Sequence, residues 1–240
     1  VIDGLGDESY RANNAPKIDA YIQPYWGVPL DPEPNSDSWF YGKDSVLVDR
    51  VYFDSYRKRK SNIINNLLIT FGGSDPQEIT LTVLEALKKM EGAVNVRCIV
   101  GPSFSHSLVE EIKRFKINQM IDIRYSPENL SEHYEWADLG ICGSGGSRYE
   151  AAVAGLPILF TAIYEDHDSL SNLFSSFGTS QYIGVYSKLS TLDWMNEIKN
   201  LLNSRQSYQK MIDSIEKMRQ SELGADWLAK KIQEVLNNAK

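Results

Sequence analysis

From Asn65 onward, short apolar runs alternate with stretches in which apolar residues recur every three or four positions. The runs Asn66–Phe71, Val94–Val100, Ile121–Tyr125, Leu139–Cys142, Ile158–Ala162 and Tyr182–Val185 read as strands. Helical spacing lies between them at about Gln77–Met90, Phe104–Phe115, Leu130–Ala137, Ser147–Ala154 and Ser169–Phe177. Three more helical patterns close the chain, around Leu192–Asn203, Ser207–Gln220 and Ala225–Asn238. Strands apolar on both faces, alternating with helices, predict a parallel sheet covered on both sides, hence a doubly wound α/β fold.

Residues 1 to about 60 break this pattern. Val1-Ile2-Asp3-Gly4 reads as the tail of a strand, and the residues after it are rich in Pro, Asp, Asn and Tyr without period. Pro24, Pro29, Pro32 and Pro34 predict an extended segment or linker without regular structure. Its aromatics (Tyr21, Tyr25, Trp26, Trp39, Phe40 and Tyr41) predict that it packs against something.

Composition narrows the function. The chain has 240 residues, 42% hydrophobic and 24% charged, an ordinary balance for a globular protein long enough to bury a core. A net charge of -7 and a pI near 5.1 argue against a general nucleic-acid binder, which needs a basic face. The basic run Arg57-Lys-Arg-Lys60 reads as solvated linker. Cys98 and Cys142 each sit in an apolar run, which predicts buried, inert thiols in a reducing cytoplasm, with no metal-ligand spacing nearby. No apolar run has the length of a membrane-spanning helix, and no signal peptide is read. Because the chain starts at Val1 rather than Met, more protein is expected upstream.

The stretch from Ala137 to Pro157 holds the most telling chemistry. A buried strand ends at Cys142, a glycine-rich turn spans Gly143 to Gly146, and a helix expected to be capped at Ser147 runs until Gly155. Such a turn offers backbone N–H groups to an anion at the positive end of a helix, and Glu150 lies one turn in, within reach of a neighbouring hydroxyl. Alternatively, the glycines only let strand and helix pack closely. In doubly wound sheets ligands sit beyond the C-terminal strand ends, near the switch in strand order. Two other unusual loops fall at that edge. Phe71-Gly-Gly-Ser-Asp-Pro76 combines glycines with Ser74 or Asp75 as a helix cap and Pro76 as first helical residue. Tyr164-Glu-Asp-His-Asp-Ser-Leu-Ser-Asn172 is polar; Asp166 and Asp168 could merely cap a helix, and a lone histidine such as His167 is more often a surface residue than a catalyst.

The run Ala137-Asp138, the glycine-rich turn with Glu150, Ala154-Gly-Leu-Pro157, and then Asp166-His167 with Asn172 resembles the C-terminal nucleotide-sugar domain of GT-B enzymes. The peptidoglycan N-acetylglucosaminyltransferase and its relatives show that pattern. Leu68-Ile-Thr-Phe-Gly-Gly-Ser-Asp-Pro76, with Thr80, Val83, Leu84 and Ala86-Leu87, resembles a narrower branch. That branch holds the UDP-linked diacetamido-trideoxy-sugar hydrolase of the pseudaminic acid pathway and the spore-coat polysaccharide proteins. Tyr41-Gly42 through Val46-Leu47-Val48 to Phe53 is similar to its interdomain segment. The resemblance spans about residues 40–185. It implies a Rossmann-like domain at 61–190, C-terminal helices at 191–240, and a remnant of an N-terminal domain plus linker at 1–60.

The resemblance also implies roles. Glu150 matches a glutamate that binds both ribose hydroxyls, as a carboxylate can accept two hydrogen bonds. Gly145, Gly146 and Ser147 match the turn holding the diphosphate, and Ser126-Pro127 the backbone reading the uracil edge. Gly72, Gly73 and Ser74 match a loop facing the interdomain cleft, while Asp166, His167 and Asn172 match the loop over the sugar. Two glutamines of the transferase pattern are replaced by Asp168 and Ser169, and a carboxylate cannot donate as an amide does. Gly146 stands where the transferase has a bulkier residue and the hydrolase branch a serine. Three functions stay open: hydrolysis of a UDP-linked deoxy-diamino sugar in surface-polysaccharide or nonulosonate biosynthesis, inverting glycosyl transfer from a UDP- or other nucleotide-sugar, or a non-catalytic nucleotide-sugar-binding module of a larger biosynthetic protein. The absence of a basic-aromatic patch for membrane docking tilts the reading to hydrolysis. The catalytic groups are expected in the N-terminal domain, with His167 the candidate among residues present. Neither a cofactor nor a catalytic metal is expected. The base could be uridine or cytidine.

Overall fold

The structure, a computed structural model, describes residues 1–3, 14–26, 33–90, 94–115 and 121–238. Its centre is a six-stranded, all-parallel sheet of β3 (Asn66–Thr70), β4 (Asn95–Val100), β5 (Ile121–Tyr125), β6 (Leu139–Gly143), β7 (Ile158–Ala162) and β8 (Ser180–Val185), in the order β5-β4-β3-β6-β7-β8. The order reverses between β3 and β6, which is the switch point of a doubly wound fold. Alternate residues of each strand feed different cores. Leu67 and Ile69 of β3 join a core with α2 (Ile79–Lys88), α3 (His106–Arg114), α7 (Thr191–Asn203) and α8 (Arg205–Met218). Leu68, with Ile158 and Phe160, faces the other core beneath α4 (Ser131–Trp136), α5 (Ser147–Val153) and α6 (Asp168–Ser175). Both faces are therefore covered, as strands without polar alternation require.

Residues 1–60 correct the expectation of an irregular segment. β1 (Ile18–Ile22) and β2 (Ser36–Phe40) pair in parallel, Ile2 bridges to Ile22, and Arg50–Asp54 form the short helix α1. Pro24 and Pro34 lie outside these strands and bound them without removing ladder donors; Pro29, Pro32 and Gly4 lie outside the described residues. The segment does pack. Trp26 stacks on Phe174 of α6 at 5.3 Å between ring centroids. The last helix, α9 (Gly224–Asn238), crosses the same region, with Trp227 edge-on to Phe40. Only a glycine fits at Gly224, where a Cβ would lie 1.9 Å from the Val46 carbonyl oxygen.

The basic run is solvated except at Arg59. Arg59 is 6% exposed, and its guanidinium donates to the carbonyls of Tyr134 (2.6 Å) and Ala137 (3.1 Å) at the end of α4. It also donates to Ala154 (3.3 Å) and Gly155 at the end of α5. Arg57, Lys58 and Lys60 are exposed; Arg57 donates to the Glu135 carbonyl and Lys58 pairs with Glu216 at 2.9 Å. These late-helix carbonyls have no intrahelical partner, so the cation meets a need that local sequence cannot reveal.

Replacing Arg59 strands several buried carbonyls, each worth about 1–3 kcal/mol when unsatisfied. Arg59→Ala should lower unfolding free energy by at least about 3 kcal/mol in urea titration, whereas Lys58→Ala should change it by less than about 0.5–1 kcal/mol. Equal effects would mean that Arg59 is not a clamp.

Candidate functional site

The site lies at the C-terminal edge of the sheet, over the β3/β6 switch point. After β3 the chain turns at Gly72 (φ +74°), and Asp75 folds back so that its two carboxylate oxygens accept the Ile79 and Thr80 N–H groups at 2.9 Å each. Asp75 is thus the cap of α2. Pro76 sits in the preceding turn rather than at the first helical position, because the helix begins only at Ile79. Gly101, after β4, was missed in the sequence, although Gly101-Pro102 ends a strand at this same edge. A Cβ there would meet the Gly72 and Gly73 carbonyl oxygens at 2.4 and 2.5 Å, so the two loops stack backbone to backbone. After β5, Ser126 takes a positive φ of 41° while its N–H bonds the Val100 carbonyl at 2.8 Å.

After β6 the glycines divide by role. Gly143 is packed, since a Cβ would strike the Ile163 side chain at 2.7 Å. Gly145 has nothing within 4 Å of a Cβ, and Gly146 only the Glu150 carboxylate at 3.7 Å. Neither has a positive φ, so neither packing nor backbone conformation demands glycine there. The bare backbone faces open space. Ser147 corrects the capping expectation: Gly146 is the N-cap, no side chain caps α5, and Ser147 is its first residue.

Six of the predicted residues converge. Gly72, Gly73, Ser126, Pro127, Ser147 and Glu150 line one cleft of about 210 Å³. Glu150 and Tyr52 also line a neighbouring cleft of about 490 Å³, which Gly146 and Asp49 line as well while Gly146 stays out of the first. Exposed Ser74 lines neither, and exposed Gly145 lies at the tip of the turn. Glu150 is held from below. The buried Tyr134 hydroxyl donates to its Oε2 at 3.0 Å, and Tyr52 flanks it; sequence reasoning missed both, Tyr134 because it reads as an ordinary apolar helix position and Tyr52 because it falls in the segment expected to be irregular. Burial pushes the Glu150 carboxyl above the usual range, hydrogen bonds from Tyr134 and Tyr52 pull it back, and Asp49 adds to the rise.

The loop after β7 is a separate group beside the turn. His167 Nδ1 lies 2.8 Å from the Ser144 hydroxyl, which also accepts the Ile163 N–H at 3.2 Å. Asp166 is 4.0 Å from His167 Nε2 and largely in solvent. This is not a nucleophile arrangement: Ser144 is buried and already tied to backbone. Asp168 is occupied too, accepting from Tyr182 at 2.6 Å and from Asn172 at 3.1 Å. Cys98 and Cys142 are buried free thiols, each pushed by burial to about 12. Among the described residues, no group of three or more His, Cys, Asp or Glu side chains converges as a metal site, and no helix is long and apolar enough to cross a membrane.

The six-stranded parallel sheet flanked by helices matches the Rossmann-like C-terminal domain of the GT-B fold. Acinetobacter baumannii MurG has that fold: the two superpose with a TM-score of 0.63 at 20% identity, over 90% of this chain and 59% of that one. Residues 67–213 match the glycosyltransferase family 28 C-terminal domain, and the chain belongs to that family. It is 29% identical over 133 residues to the uncharacterized protein MJ1062 of Methanocaldococcus jannaschii, covering 53% of this chain and 28% of that protein. It is 24% identical over 164 residues to the UDP-N-acetylglucosamine–N-acetylmuramyl-(pentapeptide) pyrophosphoryl-undecaprenol N-acetylglucosamine transferase of Methylococcus capsulatus, covering 66% of this chain and 46% of that enzyme. The chain thus spans less than half of these two curated relatives. Family membership backs the glycosyltransferase alternative over the hydrolase that was expected first; the hydrolase branch finds no support in these matches.

The division of glycines is testable by unfolding. Gly146→Ala should leave stability unchanged or raise it by about 0.4–1 kcal/mol, as for glycines in conformations open to alanine. Gly155→Ala should lower it by more than about 1 kcal/mol, because φ is +79° and a Cβ would meet the Arg57 carbonyl at 2.8 Å. A comparable loss at both would mean that the turn glycines serve packing.

Proposed function

We propose that the cleft at the β3/β6 switch point holds a nucleotide-sugar donor, a UDP-sugar first among them, and that the whole protein transfers its sugar to an acceptor with inversion. The observation that carries this is the convergence of Gly72, Gly73, Ser126, Pro127, Ser147 and Glu150 on one cleft, in a family 28 chain. The Methylococcus relative is itself named for a UDP-sugar. On this reading Glu150 accepts the ribose hydroxyls, Gly145 to Ser147 hold the diphosphate, and Ser126-Pro127 meet the base. The Asp166–Asn172 loop covers the sugar. Because Asp168 is bonded to Tyr182 and Asn172, it offers no donor where the related transferase pattern has amides. The sugar is therefore one recognised without those amide contacts. Residues 1–60 belong with the acceptor side, 61–190 form the donor domain, and 191–240 are the helices bracing both.

Calorimetric titration should show UDP binding to this chain. Glu150→Ala should weaken UDP by about 1.5–3 kcal/mol, the value of a hydrogen bond to a charged group, while leaving pyrophosphate unchanged. No heat with millimolar UDP, or equal losses for both ligands, would remove the donor assignment.

A further inference from the structure

We infer that Tyr134 is a positioning residue that sets the Glu150 carboxylate for a cis-diol, so that ribose discrimination belongs to the pair. The inference rests on the donor reading and goes beyond it by naming what orients the ribose ligand.

Tyr134 is 1% exposed, at the buried face of α4, and its hydroxyl lies 3.0 Å from Glu150 Oε2, with the Ser147 carbonyl as a weaker acceptor at 3.4 Å. A glutamate side chain has three torsions and a free carboxylate plane, so an unheld Glu150 would lose rotational freedom on meeting a diol. With Oε2 held, Oε1 lies over the glycine turn, 3.7 Å from where a Gly146 Cβ would stand. The phenol cannot drift, because the Tyr134 carbonyl is gripped by Arg59 and its ring packs at 5.6 Å from that of Tyr52. Tyr134 does not itself line the cleft. It acts through Glu150.

A second consequence concerns protonation. The groups facing Glu150 are Tyr134 from α4, Tyr52 from α1, Asp49 from the preceding linker and Cys142 from β6. Burial and Asp49 favour the neutral acid; the two phenols favour the carboxylate. Removing the Tyr134 hydroxyl therefore raises the pH below which Glu150 takes up a proton and ceases to accept at both oxygens.

The test is calorimetry of this chain with UDP, 2′-deoxy-UDP and pyrophosphate, for wild type, Tyr134→Phe, Glu150→Ala and the double variant. Tyr134→Phe should weaken UDP on the order of tenfold, about the value of one hydrogen bond. It should bring the UDP to 2′-deoxy-UDP ratio toward unity, leave pyrophosphate unchanged, and move the acid limb of UDP binding to higher pH. In the Glu150→Ala background it should add nothing. An equal loss for UDP and pyrophosphate, or an effect that survives in that background, would make Tyr134 a packing residue and overturn the inference. A wild type that binds UDP no better than pyrophosphate removes the donor reading instead. Should Tyr134→Phe not fold, Glu150→Asp draws the carboxylate one methylene away from the phenol; retention of the wild-type ribose preference there overturns the inference as well.

Discussion

A single buried guanidinium fixes the geometry on which the site depends. Arg59 bonds the terminal carbonyls of α4 and α5 together, at Tyr134, Ala137, Ala154 and Gly155. Both ends carry the negative pole of a helix, so the cation meets two partial charges and several orphan acceptors at once. Burial lowers its pKa only to about 10, which leaves it charged at neutral pH. A lysine could not replace it, for one ammonium lacks the planar fork that reaches separate carbonyls. Because α4 carries Tyr134 and α5 carries Glu150, locking the ends of the two helices also fixes the hydroxyl-to-carboxylate contact between them. A linker residue thereby governs the carboxylate at the cleft, through two helices and without touching a ligand.

The glycine-rich turn supports two readings in sequence, close packing or anion binding, and the structure assigns each glycine to one of them. Gly143 and Gly155 serve packing and chain reversal; Gly145 and Gly146 face open space at ordinary φ values. The difference matters because helix α5 is short and has no capping side chain. The Arg148, Tyr149 and Glu150 N–H groups bond back to the Gly145 and Gly146 carbonyls, and the absence of side chains at Gly145 and Gly146 leaves the backbone of the turn accessible. Close approach of a ligand to backbone accounts for glycine at such positions. The tethering of His167 to Ser144 brings the next loop against the same turn, so two loops share one mouth.

The sheet was legible because its central strands β3, β6 and β7 are apolar on both faces, a pattern that burial between two helix layers explains. All six runs from Asn66 to Val185 are strands, and the polar or glycine-rich loops do share an edge. What escaped was tertiary. Pro24 and Pro34 sit beside β1 and β2, not in them, and proline spacing alone does not separate a broken strand from a bounded one. Arg57, Lys58 and Arg59 look alike in the chain, yet only Arg59 finds two helix ends, and those ends are defined more than seventy residues away. Tyr134 reads as one apolar position of an amphipathic helix; its hydroxyl acquires meaning only when α5 is laid beside α4.

These contacts bear on what Glu150 does. A general acid or base must exchange its proton during turnover and needs a pKa near the working pH. Here burial and Asp49 push the carboxyl upward, while the Tyr134 and Tyr52 phenols oppose them and Tyr134 holds Oε2 in place. The arrangement favours a fixed acceptor over a proton shuttle, which suits a residue that binds hydroxyl groups. Asp168 is committed in the same way, to Tyr182 and Asn172. With both carboxylates held by internal donors and Ser144 bonded to backbone, the described side chains around the turn are arranged to hold and orient. On the proposed reading, that is the task of the donor half of a GT-B transferase: it presents an activated sugar, and the groups that meet the acceptor belong to the facing side of the cleft.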